Sequence, residues 1–348
     1  MASAKNKYSK FYLCFLLQNL VCFQILIVAE PQFSCFFIFG DSFVDNGNNN
    51  YLQTTLRVNY LPYGIDFPTG PTGRFSNGRN IADFIAKMLG FKNSIPPFAN
   101  GTTRFILRGL NYGSGGGGIL NETGTQFGNL LSLSEQLSNH EITISRIQKL
   151  LGGSKKHLNE CLYYVGIGTN DYILNYFPQF YSSTTIYTPQ QFAALLITQY
   201  SKQLRRLYKD GARKVAVSEV GELGCMPVVI GAYGSPNSSS CVETSNAIVQ
   251  IFNQHLKILI DNLNRDYPKA KFVYTRFIAL SASTGNIKIV SEPCCVVGTG
   301  LCIEGSAPCS DRDDYRFWDE IHPTEAAAAV AGATAYDDIS PLVAFVDN

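Results

Sequence analysis

Short apolar runs alternate along this chain with longer stretches in which apolar residues recur every three or four positions. Cys35–Phe39, Leu162–Val165, Lys214–Val220 and Phe272–Phe277 are brief and mostly unbroken, the pattern of strands buried on both faces, where neither side has to meet water. Thr188-Pro189-Gln190-Gln191 supplies an N-cap, a proline at the first helical position and a glutamine three residues after the cap. Leu196, Tyr200, Leu204 and Leu207/Tyr208 then fall on one face, so a helix is predicted there. A second helix is predicted from about Val242 to Asp266, with Ile248, Phe252, Leu256, Leu259/Ile260 and Leu263 on one stripe. Strand, helix, strand, helix implies an α/β fold with a parallel sheet covered on both faces. No linker, low-complexity tract or repeat interrupts it, so residues 30–348 are read as one domain.

Composition narrows the class. Apolar residues make up 45% of the 348 and charged ones 16%, enough for a sizeable core and too little charge for a disordered chain. Lys+Arg number 28 and Asp+Glu 27, which leaves no basic footprint for a nucleic-acid backbone and excludes that partner class. Residues 1–29 read as a secretory signal: Lys5, Lys7 and Lys10 precede a mostly apolar Phe11–Val28, and Ala29 offers a small residue for cleavage. Gln18, Asn19 and Gln24 interrupt the run, which favours a cleaved signal over a retained anchor. Removing three lysines changes the net charge from +1 to −2. No later segment is long and apolar enough to span a bilayer, so the mature protein is expected to be secreted and extracellular, without a permanent membrane span.

Cysteine usage agrees with export. Of ten, Cys14 and Cys22 leave with the signal, and Cys35, Cys161, Cys225, Cys241, Cys294, Cys295, Cys302 and Cys309 remain. An even number in an exported chain reads as disulfides. Zinc is disfavoured because the cluster lacks paired C-x2-4-C spacing and has no histidine before His322. Asn100-Gly-Thr, Asn121-Glu-Thr and Asn237-Ser-Ser are glycosylation sequons.

In open parallel sheets the ligand crevice lies beyond the carboxyl ends of the strands, so chemistry is sought there. Gly40-Asp41-Ser42 directly follows the first strand. Alone it reads better as a helix-capping turn; a serine nucleophile also needs a base. His140, His157 and His255 read as surface or flanking residues. His322 differs because Asp319 lies three residues before it, ahead of an alanine-rich helix. Asp319 could fix one ring nitrogen while the other takes the serine proton. The glycine run Gly113 to Gly118 and Asn170, after the strand through Val165, could supply the backbone and amide N–H groups that a tetrahedral acyl intermediate needs. The run lacks the lysine of a phosphate loop. Asp311, Asp313 and Asp314 could be drawn into a metal-hydrolase reading, but Ser-Asp-Arg-Asp-Asp is the composition of a solvated turn.

Taken together, Phe39-Gly40-Asp41-Ser42-Phe43-Val44-Asp45-Asn46-Gly47-Asn48-Asn49, Asn111 to Ile119, Gly168-Thr169-Asn170-Asp171-Tyr172 and Asp319-Glu320-Ile321-His322-Pro323-Thr324-Glu325 resemble the four blocks of the plant GDSL esterase/lipases in the SGNH hydrolase superfamily. The likeness extends over the mature chain, including Thr72 to Arg79 and the cysteine-rich stretch before the last block. It implies a flavodoxin-like three-layer α/β/α sandwich on a mainly five-stranded parallel sheet. It implies Ser42 as nucleophile, His322 as base and Asp319 as its orienting acid, with Gly115, Asn170 and the N–H of Ser42 as the oxyanion hole. No cofactor or metal is expected, and the substrate class would be small-molecule or lipid acyl esters. The resemblance also favours closure of the Gly/Pro/Ser-rich loop between Cys225 and Cys241 by a disulfide; the pairing of Cys294, Cys295, Cys302 and Cys309 stays open. Gly113 and Gly117 depart from the commoner alanines of N-Y-A-S-G-G-A-G. A secreted acyltransferase, or a binding protein of weak activity on the same scaffold, is the alternative.

Overall fold

In the computed structural model of the chain, β1 (Phe36–Gly40), β2 (Leu162–Gly166), β3 (Lys214–Ser218) and β4 (Lys271–Thr275) lie side by side in that order, every pairing parallel. The structure describes residues 30–103, 105–177, 183–235, 239–277 and 286–345. The expected signal, residues 1–29, falls outside the described residues, as does Asn237. The fold occupies Gln32–Asn348, and Met1–Pro31 is a separate unit.

Parallel neighbours need long crossovers, and helices fill them. α1 (Ile81–Met88) and α2 (Leu133–Leu150) separate β1 from β2, α3 (Pro189–Lys209) leads to β3, α4 (Glu243–Asp266) leads to β4, and α5 (Glu325–Ile339) comes near the end. α3 packs between α2 and α4, of which α2 touches β1 and α4 touches β4; α1 and α5 pack together, with α5 also against β4. That arrangement is an α/β/α sandwich, and β1 is apolar throughout because both its faces are covered; Phe36 to Phe39 are fully buried. The α3 cap forms as its sequence predicts: Thr188 accepts from the Gln191 amide while the Gln191 side chain accepts from the Thr188 amide.

Among the described residues, four strands pair in this sheet instead of five. The fifth position, on the outer edge of β1, is taken by residues 108–112: Phe36 and Ile38 donate to the carbonyls of Arg108 and Leu110, and Tyr112 donates to Ile38 O. Among the described residues, Ile38 and Asn111 form the one bridge between this segment and β1. Gly109 has φ +112°, and a Cβ there would lie 1.9 Å from Phe36 O, so this segment bends through a left-handed residue and cannot hold a regular ladder. β3 and β4 also end two residues before the sequence pattern does. Val220 exchanges its backbone hydrogen bonds with the Asn253 side chain instead, at 3.0 and 2.8 Å.

Four disulfides close the fold: Cys35–Cys161, Cys225–Cys241, Cys294–Cys309 and Cys295–Cys302. The first joins the residues immediately before β1 and β2, which the register Phe36 to Leu162 sets opposite each other. One expectation fails here. His140 is fully buried, its ring edge-on to Phe37 and Phe39 and its Nδ1 3.1 Å from the Tyr112 hydroxyl. It belongs to the stripe Leu133, Gln136, Leu137, His140, Ile144 and Ile147 on the inner face of α2, so its polar sequence neighbours mark the other faces of the helix. His157 and His255 are half-buried, and the His157 Nε2 lies 2.9 Å from Leu107 O.

Candidate active site

Ser42 emerges where β1 ends. Gly40, the last strand residue, has no room for a Cβ, which would sit 2.4 Å from Gly166 O on β2. Both its backbone groups are held by the buried Gln136 amide, at 2.9 and 2.8 Å. The chain then turns at once: the amides of Val44 and Asp45 donate to Asp41 O, and that of Phe43 to the Asp41 carboxylate. Burial pushes the Asp41 carboxyl up to about 7 against that Phe43 hydrogen bond. The turn leaves Ser42 with its hydroxyl 2.7 Å from His322 Nε2.

His322 arrives from a tight turn between β5 (Tyr315–Phe317) and α5. Trp318 N donates to His322 O, Thr324 N to Arg316 O, and Thr324 caps α5 through the Ala327 amide. Inside that turn the Asp319 carboxylate accepts the amides of Ile321 and His322 at 2.8 and 2.7 Å. His322 Nδ1 lies 2.8 and 2.9 Å from its two oxygens. The imidazole is clasped between Phe43 and Phe75, at ring-centre distances of 5.8 and 4.8 Å. Ser42, Asp319 and His322 are 6%, 0% and 3% exposed. With a proton on Nδ1 facing Asp319, Nε2 presents a lone pair to the serine, which is what proton removal requires.

The two other sequence candidates lie close by. Gly115 would drive a Cβ into the Phe75 ring at 2.4 Å, the same ring that covers His322. Its N–H points to Asp45 Oδ2 at 3.2 Å, a long hydrogen bond into a carboxylate that also accepts Gly47 N and Asn48 N at 2.7 Å. Burial raises Asp45 to about 6, with those donors opposing. Asn170, 5% exposed, donates one amide hydrogen to Gly117 O at 2.9 Å. Asp171 next to it accepts Ile119 N, Leu120 N and the Thr123 hydroxyl, and burial raises it to about 6. The glycine run and the segment after β2 are therefore bonded directly to each other.

A family model described as GDSL-like lipase/acylhydrolase matches residues 36–334. The chain belongs to that family. It is 44% identical over 335 residues to the GDSL esterase/lipase At1g29670 of Arabidopsis thaliana, covering 91% of this chain and 92% of that protein. It is 42% identical over 322 residues to the Arabidopsis GDSL esterase/lipase At5g45670, covering 88% and 89%. The overlap with a solved carbohydrate-esterase chain is slight: 12% identity and a TM-score of 0.38, across 91% of this chain and 70% of that one.

Several residues packed around Ser42, His322 and Asp319 carry little signal in the sequence. Tyr63 donates its hydroxyl to Asp319 Oδ2 at 2.6 Å from 256 positions away, and no local spacing signals that contact. Gln136 is legible only as a polar residue on the apolar stripe of α2. Arg74, beside Phe75, is 5% exposed and forms a two-pronged ion pair with Asp83 of α1 at 2.6 and 2.9 Å. That pair and the Arg79–Glu325 pair at 2.8 Å tie the Thr72–Arg79 segment to α1 and α5. Asp314 is paired with Lys288 and the neighbouring Arg312 with Asp66, so this acidic loop is engaged in surface ion pairs.

Proposed function

We propose that this GDSL-family chain is an exported carboxylic ester hydrolase that works through an acyl-enzyme on Ser42. The observation that carries the reading is the continuous line from Ser42 Oγ to His322 Nε2 at 2.7 Å and from His322 Nδ1 to Asp319 at 2.8 Å. His322 takes the Ser42 proton as the oxygen attacks the ester carbonyl, and Asp319 stabilises the imidazolium without itself being protonated. The tetrahedral intermediate expels the alcohol, which leaves with the proton from His322. Water, deprotonated by the same ring, then attacks the acyl-serine and frees the acid and Ser42. The N–H groups of Ser42 and Gly115 and the Asn170 amide serve the oxyanion, Gly115 turning from its long contact with Asp45 as the negative oxygen forms. Donors of this kind often tighten only in the reacting complex.

Export is supported by the residue order of 1–29 and by four disulfides, which persist in oxidising compartments. No helix among the described residues is long and apolar enough to cross a membrane. The relatives named esterase/lipase support acyl esters as the substrate class. The test is turnover of a soluble nitrophenyl acyl ester by the parent and by folded Ser42→Ala. The proposal requires activity in the first and its loss in the second; equal activity in both would end it.

A further inference from the structure

The geometry points to Tyr63 as a positioning residue for the acid–base pair, one that transmits the constraint of the disulfide-closed cysteine segment to Asp319. This rests on the Ser42–His322–Asp319 reading and deepens it.

Tyr63 is fully buried in a small second cluster with Val58, Phe75, Trp318 and the cysteines of the 294–309 segment. Its hydroxyl has two partners: it donates to Asp319 Oδ2 at 2.6 Å and accepts the Cys302 amide at 3.1 Å. Burial and the Asp319 charge beside it hold the phenol's pKa well above its ordinary value, so it stays protonated and remains a donor. Asp319 Oδ2 thus receives Tyr63 from one side and His322 Nδ1 from the other.

The cysteine segment grips the same stretch of backbone. The amides of Cys294 and Cys295 donate to Trp318 O at 3.1 and 3.0 Å, and Glu320 N donates to Gly300 O. Cys302 is bonded to Cys295 by a disulfide, so the residues on both sides of Asp319 and the phenol on its carboxylate are all held by one covalently closed loop. Tyr60 supplies a built-in comparison. Its hydroxyl donates to Cys302 O at 2.9 Å and its ring meets Tyr63 edge-on, yet it has no hydrogen bond to Asp319. The titratable groups facing Asp319 and Tyr63 are His322, Tyr60 and Glu320, with Glu304 beyond Tyr60.

A hydrogen bond to a carboxylate stabilises its charge. Removing the phenol leaves Asp319 more dependent on the imidazolium, which holds the proton on His322 to higher pH and loosens the carboxylate. Tyr63→Phe is therefore expected to move the acid limb of the kcat profile up by about one pH unit and to lower the plateau kcat about tenfold, with KM little changed. Tyr60→Phe, which perturbs the same loop, should keep the parent's profile. In an Asp319→Asn background the Tyr63→Phe change should add no further shift. A folded Tyr63→Phe enzyme with the parent's kcat and acid limb overturns the proposal, as does a Tyr60→Phe enzyme that shifts equally, since that would mark loop packing as the cause. If Tyr63→Phe does not fold, the Nδ1–H proton resonance of His322 is compared between the parent and protein made with 3-fluorotyrosine, which keeps the ring and strengthens the phenol as a donor: an unchanged resonance also overturns the proposal. Should Asp319→Asn alone behave as the parent, the failure lies in the triad reading, and the role of Tyr63 falls with it.

Discussion

Replacing Asp319 by asparagine changes one atom and, by this account, nearly abolishes turnover. Oδ1 accepts the amides of Ile321 and His322, while Oδ2 faces Tyr63 and His322 Nδ1. The two backbone donors fix the amide oxygen of an asparagine at the first position, so its NH2 takes the second. There it would meet an Nδ1–H head-on, donor against donor. The imidazole escapes by moving its proton to Nε2, which then points at Ser42 Oγ 2.7 Å away and can no longer accept the serine proton. In serine proteases the same wrong tautomer costs about 10⁴ in kcat, or about 5.4 kcal/mol in barrier height. The assay is kcat and KM on a short-chain nitrophenyl ester across pH, beside thermal melting to establish folding. A loss of this order in kcat with KM little changed is expected. A folded Asp319→Asn enzyme with the parent's rate and pH profile would show that Asp319 neither orients nor supports the base.

Two further outcomes follow from named contacts. Asn170→Ala removes a proposed oxyanion donor and should lower kcat by about 10²–10³ with a smaller change in KM; an unchanged kcat would leave Asn170 the structural role of bonding Gly117 O. Burial holds the His140 imidazole down to about 3, so below the ordinary histidine range of about 6.5 the unfolded chain binds a proton that the folded one refuses. Stability should then fall with falling pH between about 6.5 and about 3, by up to about 1.4 kcal/mol per pH unit, a few degrees in Tm. The raised carboxyls of Asp41, Asp45 and Asp171 act with the opposite sign but are common to parent and variant. The Tm of the parent should therefore drop more than that of His140→Gln between pH 7 and pH 5, and equal drops would contradict the burial argument.

What was legible in the sequence depended on whether the information was local. β1 and β2 could be read because a strand covered on both faces has no polar register to disguise it, and α3 because its cap lies within four adjacent residues. Asp319 and His322 announce themselves for the same reason, being three residues apart in one turn. Tyr63, Gln136 and the Cys35–Cys161 bond connect positions 96 to 256 residues apart, and no spacing rule reaches that far. His140 was legible after all: its neighbours concealed it, while the 3.6-residue stripe of α2 contained it. The fifth strand failed on one residue, Gly109, whose left-handed backbone interrupts an otherwise strand-like edge.

Covalent labelling by a fluorophosphonate reads the activation of Ser42 itself, because the probe reacts with a serine only where a base and oxyanion donors activate it. One labelled residue, Ser42, is expected on peptide mapping of the parent, with labelling lost in folded Ser42→Ala and strongly slowed in His322→Ala. Labelling of Ser42→Ala at the parent's rate, or a labelled peptide that does not contain Ser42, would show that Ser42 is not the nucleophile.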